Sequence, residues 1–130
     1  MKKLTLEQVE LIKSAEKLVF TTASKDGKPR SIYVMPSRVD DNRIILSNIQ
    51  MRKSIQNILE NNKCFLNIYI PDEDDLQIKI DGIAEVKNTG KLFQEIKEYE
   101  ESENLPPELK VESIIIVCFE NIEQTNGWDQ

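Results

Sequence analysis

The sequence predicts a mainly β, α+β domain: six antiparallel strands curling toward a barrel, flanked by about three helices. Three observations carry this prediction. Six runs are rich in β-branched residues or alternate apolar with polar positions. Short turn signals join the first three runs, which makes neighbours antiparallel. Three other stretches repeat apolar residues at helical spacing. The chain has 130 residues, which suits one domain spanning 1–130, long enough to bury a core without staples.

The elements follow in order. Thr5 and Gln8 form a capping-box pair, and Leu4 with Val9 is placed as a hydrophobic staple. Val9, Ile12 and Ala15 then mark a helix ending near Lys17. Leu18–Ser24 reads as the first strand, and Asp26-Gly27 is a hairpin signal. Arg30–Val39 is the second strand, Asp40-Asp41-Asn42 a turn, and Arg43–Ser47 the third strand, giving a meander. Met51, Ile55, Ile58 and Leu59 share one face of a second helix that stops at Asn61-Asn62. Cys64, Leu66, Ile68 and Ile70 alternate as a fourth strand, followed by an acidic turn at Asp72–Asp75. Leu76, Ile78, Ile80, Gly82, Ala84 and Val86 share a face of a long fifth strand, where the small residues at 82 and 84 suggest a bend or close approach. Leu92, Phe93, Ile96 and Tyr99 mark a third helix from Gly90 to about Ser102. Val111–Phe119 is the sixth strand, and its continuous apolar run predicts burial on both faces. The expected helices plug the barrel ends.

Composition narrows the function classes. Lys and Arg number 17 against 23 Asp and Glu, a net charge of −6. That argues against general nucleic-acid or anionic-membrane binding, though a small basic pocket remains compatible with it. No apolar run approaches the length of a membrane span, and acidic residues follow the N-terminal lysines where a signal peptide would be apolar. A cytoplasmic protein is expected. Histidine is absent, which removes Ser-His-Asp and Cys-His nucleophile schemes and His-based metal sites. Cys64 and Cys118 read as free buried thiols, with a disulfide or a reactive thiol as the lesser alternative, and no metal site is expected. The acidic turn lacks the glycine and ordered spacing of an EF-hand. Chemistry in such a chain rests with a cofactor. Trp128 is open to three readings: a stacking ring, a cover for a partner subunit, or a tail residue.

The stretch Ile45–Ile58, ILSNIQMRKSIQNI, holds the main charge anomaly. Arg52 and Lys53 open a helix, where the macrodipole disfavours cations. A phosphate between them resolves the conflict, because it accepts helix-start N–H groups and charge-assisted bonds together. The other reading leaves both side chains in water at a cost of a few tenths of a kcal/mol. Arg30, opening the second strand, is placed to add a third cation, or is a solvated hairpin residue.

Three patches resemble the FMN-binding split β-barrel family related to pyridoxamine 5'-phosphate oxidase. The first is Gly27-Lys28-Pro29-Arg30-Ser31-Ile32-Tyr33-Val34-Met35, similar to the family's hairpin and flavin-lining strand. The second is Ser47-Asn48-Ile49-Gln50-Met51-Arg52-Lys53-Ser54 with Asn57-Ile58. It resembles the Ser-Arg-Lys phosphate motif and the Met-x-Lys-Thr-x-x-Asn variant of small members. The third, Gln77-Ile78-Lys79-Ile80-Asp81-Gly82, resembles the Gln-Val-Arg-Val-Glu-Gly strand. Ile49-Gln50 replaces glycines common in small members, and Ser54 replaces threonine.

The resemblance implies a six-stranded antiparallel split β-barrel and a homodimer with FMN at its interface. It implies cofactor contacts from Arg30, Ser31, Tyr33, Met35, Ser47, Asn48, Met51, Arg52, Lys53, Ser54 and Gln77. Arg52 and Lys53 would take the phosphate, with Arg30 and Ser47 assisting. Tyr33 and Met35 would lie near the ring, and Gln77 would reach the flavin. The implied function is FMN-dependent oxidoreduction, of flavin reductase-like or electron-transfer type, with a nicotinamide cofactor or another redox protein as partner. Alternatives are a non-catalytic or stress-related flavin binder, a deazaflavin or haem in place of FMN, and a barrel with an empty pocket. The oxidase's C-terminal substrate motif needs histidine, so pyridoxamine-phosphate oxidation is not expected.

Overall fold

A computed structural model describes residues 1–127; Trp128 lies outside them. The order is α1 (Leu6–Ser14), β1 (Leu18–Ala23), β2 (Pro29–Val34), β3 (Pro36–Val39), β4 (Arg43–Asn48), α2 (Arg52–Glu60), β5 (Lys63–Ile70), β6 (Leu76–Lys87), α3 (Lys91–Glu103) and β7 (Ser113–Thr125). The strands form one seven-stranded sheet in the order β2-β1-β5-β6-β7-β4-β3, and every pairing is antiparallel. This is the α+β barrel-like architecture expected, with one strand more.

The extra strand comes from a corner. The expected second strand, Arg30–Val39, breaks at Met35 into β2 and β3. Its first half pairs with β1, from Leu18↔Val34 to Ala23↔Pro29, and its second half pairs with β4, from Pro36↔Leu46 to Val39↔Ile44. Proline has no N–H for a ladder and fixes its own φ, so a strand turns most readily beside one. The two edges of the sheet are therefore two halves of one segment, and the sheet curls until they meet at Met35. The expected hairpins survive on either side. Gly27, with φ of 86°, turns the first, where its N–H donates to the Ser24 carbonyl at 2.9 Å.

The barrel interior takes alternate residues of each strand. Phe20, Leu66, Ile68, Ile78, Ile80 and Phe119 are among its least exposed members. α1 and α2 add Val9, Ile12 and Ile58 to this core. At α1, Thr5 Oγ1 accepts from Gln8 N at 3.1 Å and Gln8 Oε1 accepts from Thr5 N at 2.9 Å, the expected capping box. α3 plugs no end. It covers the outer face of β4 and β7, where Phe93 and Ile96 pack with Ile45, Ile114 and Ile116. The Ile114–Val117 run is thus buried on both faces, alternating between barrel and helix layer. Leu59 and Tyr99 leave the apolar faces assigned to them, being 74% and 57% exposed. β7 continues past Phe119 to Thr125, because β6 is long enough to pair with it as far as Gln77↔Thr125.

Gly82 marks the close approach expected on the fifth strand. The β6–β7 register shifts between Asp81 and Gly82. A Cβ there would lie 2.6 Å from Val117 Cγ1, 3.1 Å from the Cys118 carbonyl oxygen and 3.2 Å from Cys64 Sγ. Cys64 is buried and Cys118 half-buried, both as free thiols. Burial, helped by Asp81 and Glu120, pushes the Cys64 thiol up to about 12 from 9.0.

Two outcomes follow for stability. Gly82→Ala should destabilise by about 1–3 kcal/mol in urea unfolding, because β-branched Val117 and backbone cannot yield cheaply. Cys64 stabilises the fold fully below its unfolded value near 9 and loses that contribution as pH rises toward about 12, since only the unfolded chain ionises it in that window. Cys64→Ala should flatten that alkaline loss, read as melting temperature against pH.

Candidate functional site

The site begins where β4 ends. Asn48 is 7% exposed, and both ends of its amide are used. Its Oδ1 accepts from the Met51 backbone N–H at 2.7 Å, and its Nδ2 donates to Ser113 Oγ at 2.9 Å. Its carbonyl accepts from Glu112 N at 2.9 Å. This clamp stops the strand and turns the chain through Ile49-Gln50. Gln50 takes a left-handed φ of 66°, a conformation that favours glycine. That matches the resemblance, in which small members carry glycines here.

α2 follows with Met51 at its N-cap and Arg52 and Lys53 as its first two residues; its first turn has no acidic residue and no side-chain cap bond. The first N–H groups of such a helix have no partners within it. Asn57 ties the helix to the sheet by donating Nδ2 to Thr22 Oγ1 at 3.1 Å. Thr22 is 2% exposed, and its ladder partner across the hairpin is Arg30. The chain corner and this tie bring Arg30 beside the helix. In the expected meander Arg30's strand would pair directly with Arg43–Ser47; instead its β2 half pairs with β1 and only the β3 half meets β4.

A groove of about 300 Å³ runs between β2 and the Ile49–Ser54 turn. It gathers Arg30, Tyr33, Met51, Arg52, Lys53 and Ser54 from the expected residues, together with Ile32, Val34, Ile49 and Gln50. Three cations and no carboxylate line it. Among the described residues none of the three enters an ion pair. Ser54 is 2% exposed. The lining of Ile32 and Val34 was not singled out from sequence, although period-2 alternation across β2 was the available signal.

The other expected residues stand off this groove. Ser31 shares a hydrogen bond with Thr21 at 2.7 Å on the outer face of the hairpin, and Ser47 shares one with Ser37 at 2.6 Å. Met35 sits exposed on the corner. Gln77, on β6, has its Oε1 3.5 Å from Asn67 Nδ2. Among the described residues no group of His, Cys, Asp or Glu could hold a metal, and no helix is long and apolar enough to cross a membrane.

Comparison with known proteins adds the following. A model of the family described as pyridoxamine 5'-phosphate oxidase matches residues 4–126. HupZ of Group A Streptococcus superimposes with a TM-score of 0.82 at 18% identity, covering 95% of each chain. An FMN-binding protein from Syntrophomonas wolfei gives 0.77 at 14% identity, over 92% of this chain and 84% of the other. A protein named F420 Reductase gives 0.68 at 19% identity, over 88% and 94%. At these identities the structures show a shared fold. No curated protein matches.

Two substitutions separate the clamp from the groove. Asn48→Ala should cost about 1–3 kcal/mol, since it leaves the Met51 N–H and the Ser113 hydroxyl without partners. Gln50→Gly should be neutral or stabilise by up to about 1 kcal/mol by relieving the left-handed backbone. Urea titrations of the two proteins beside the parent chain read both effects.

Proposed function

The chain belongs to the pyridoxamine 5'-phosphate oxidase family, and on that premise we propose that it is an FMN-binding flavoprotein. The observation that carries this reading is the groove: Arg30, Arg52 and Lys53 converge without carboxylate partners at the start of a helix, in a chain of net charge −6. A phosphate is the ligand such an arrangement suits, since helix-start N–H groups and cations both favour it. Arg52 and Lys53 take the phosphate, Arg30 assists from β2, and Ser54 completes the cradle. Tyr33 and Met51 flank the flavin end. Asn48 acts by shaping the turn into α2, and Ser31 and Ser47 act at a distance, through their bonds within the sheet.

When bound, FMN supplies the redox chemistry at its ring, and the protein supplies position and charge. The reading is an FMN-dependent oxidoreductase, reductase-like or electron-transferring, with a nicotinamide cofactor or another redox protein as partner. A homodimer with FMN at its interface belongs to the proposal. In that dimer Gln77, which stands off this groove on β6, three strands along the sheet from β2, serves the flavin of the second copy. Exposed Tyr33 and Met35 offer that copy a surface beside the groove. The F420 Reductase likeness favours a second reading, a deazaflavin cofactor on the same cations.

Protein mixed with FMN and desalted should be yellow, with about one flavin per chain. Arg52→Ala and Lys53→Ala should each weaken binding about 10- to 100-fold, as loss of a charge-assisted bond requires. Protein that stays colourless overturns the FMN reading. Bound flavin that neither NADH nor NADPH bleaches overturns the reductase form and leaves electron transfer.

A further inference from the structure

We infer that Gln50 is a phosphate-binding residue of the basic groove, its carboxamide donating an N–H to the group that Arg52 and Lys53 hold. This rests on the phosphate reading of that groove. It adds a neutral donor, on the residue just before the Met51 N-cap of α2, to the cations already there.

The case starts from the backbone. Gln50 has a φ of 66°, a region that glycine enters readily and a residue with a Cβ enters at a cost. The fold makes no use of its side chain. Gln50 is exposed, and among the described residues its carboxamide has no hydrogen-bond partner. Nor does the turn depend on it. Asn48 Oδ1 accepts from the Met51 N–H at 2.7 Å, and Ile49 packs against the Phe93 cluster under α3. Both anchors lie on other residues, so a glycine at position 50 would make the same turn with less strain.

A strained residue that its own fold does not use points to function when it borders a site. Gln50 lines the groove together with Arg30, Arg52 and Lys53. The anchors on Asn48 and Ile49 hold its backbone in place beside them, so little is left to order when a ligand arrives. The residue type fits the task. A phosphate monoester presents three strong acceptor oxygens. A fourth cation would add like-charge repulsion among three that have no acidic partner. A carboxamide brings N–H donors without charge, and its oxygen accepts from a neighbouring cation at the same time.

Gln50→Met tests this, because it keeps the length and neutrality of the side chain and removes the donor. It should bind FMN about tenfold more weakly than the parent chain, as loss of one hydrogen bond to a charged group requires. Riboflavin, which lacks the phosphate, should bind both proteins alike. Gln50→Gly should lose FMN affinity by a similar factor while its urea midpoint holds or rises, so that affinity and stability move apart. Unchanged FMN affinity in Gln50→Met overturns the inference. So does an equal loss for riboflavin, which places the effect on the ring or the groove wall. A parent chain that binds neither flavin overturns the flavin reading instead. Broadening of the ³¹P line of inorganic phosphate then decides the inference: Gln50→Met should broaden it less than the parent does, and equal broadening overturns it.

Discussion

Pro36 has no amide hydrogen to give to a ladder, and the chain changes partners beside it. β2 runs along β1, β3 runs along β4, and Met35 alone separates them. Because one segment serves both edges, the sheet must curl, and β1 and β4 come round toward each other. α2 leaves β4 and lands across that gap, where Asn57 bonds Thr22 on β1. The functional groove is the space this closure leaves between β2 and the turn into α2. Without the corner, Arg30 and Arg52 would sit on opposite edges of an open sheet.

The groove also shows which local preferences lose. A cation at a helix start opposes the macrodipole by a few tenths of a kcal/mol. A glutamine in the left-handed region costs about 1–2 kcal/mol. Both penalties fall within five residues, and the Asn48 clamp on the same turn offsets them with buried hydrogen bonds. Local disfavour concentrated at one turn, supported by a buried polar anchor, is the pattern expected where a sequence serves a ligand rather than its own fold. The acidic surplus elsewhere then sharpens the contrast between this groove and the rest of the surface.

Much of this was legible before any coordinates. Alternation in Leu76–Val86, the Thr5–Gln8 box and the Asp26-Gly27 turn each bind sequence to structure through one local rule, and each holds. The second strand did not read as two, although Pro36 was the available signal: proline also sits on strand edges, and only the different partners of the two halves show a corner there. Nor did α3 reveal which surface it covers, since an apolar face names no partner. The Arg30, Arg52 and Lys53 cluster was legible as a charge anomaly and as a resemblance. That Asn48 shapes the turn from a buried position required the tertiary partner Ser113, 65 residues away. Ser47 and Ser31 likewise read as polar candidates from sequence, while their hydroxyls are engaged within the sheet.

The central claim is that the basic groove recognises a phosphate. FMN and riboflavin differ in that group alone, so their affinity ratio isolates it. The account predicts that the chain binds FMN at least 100-fold more tightly than riboflavin at low salt. It also predicts that Arg30→Ala combined with Lys53→Ala collapses the ratio by weakening FMN while leaving riboflavin nearly unchanged. Equal affinities in the parent chain, or a ratio that survives the double substitution, would contradict it.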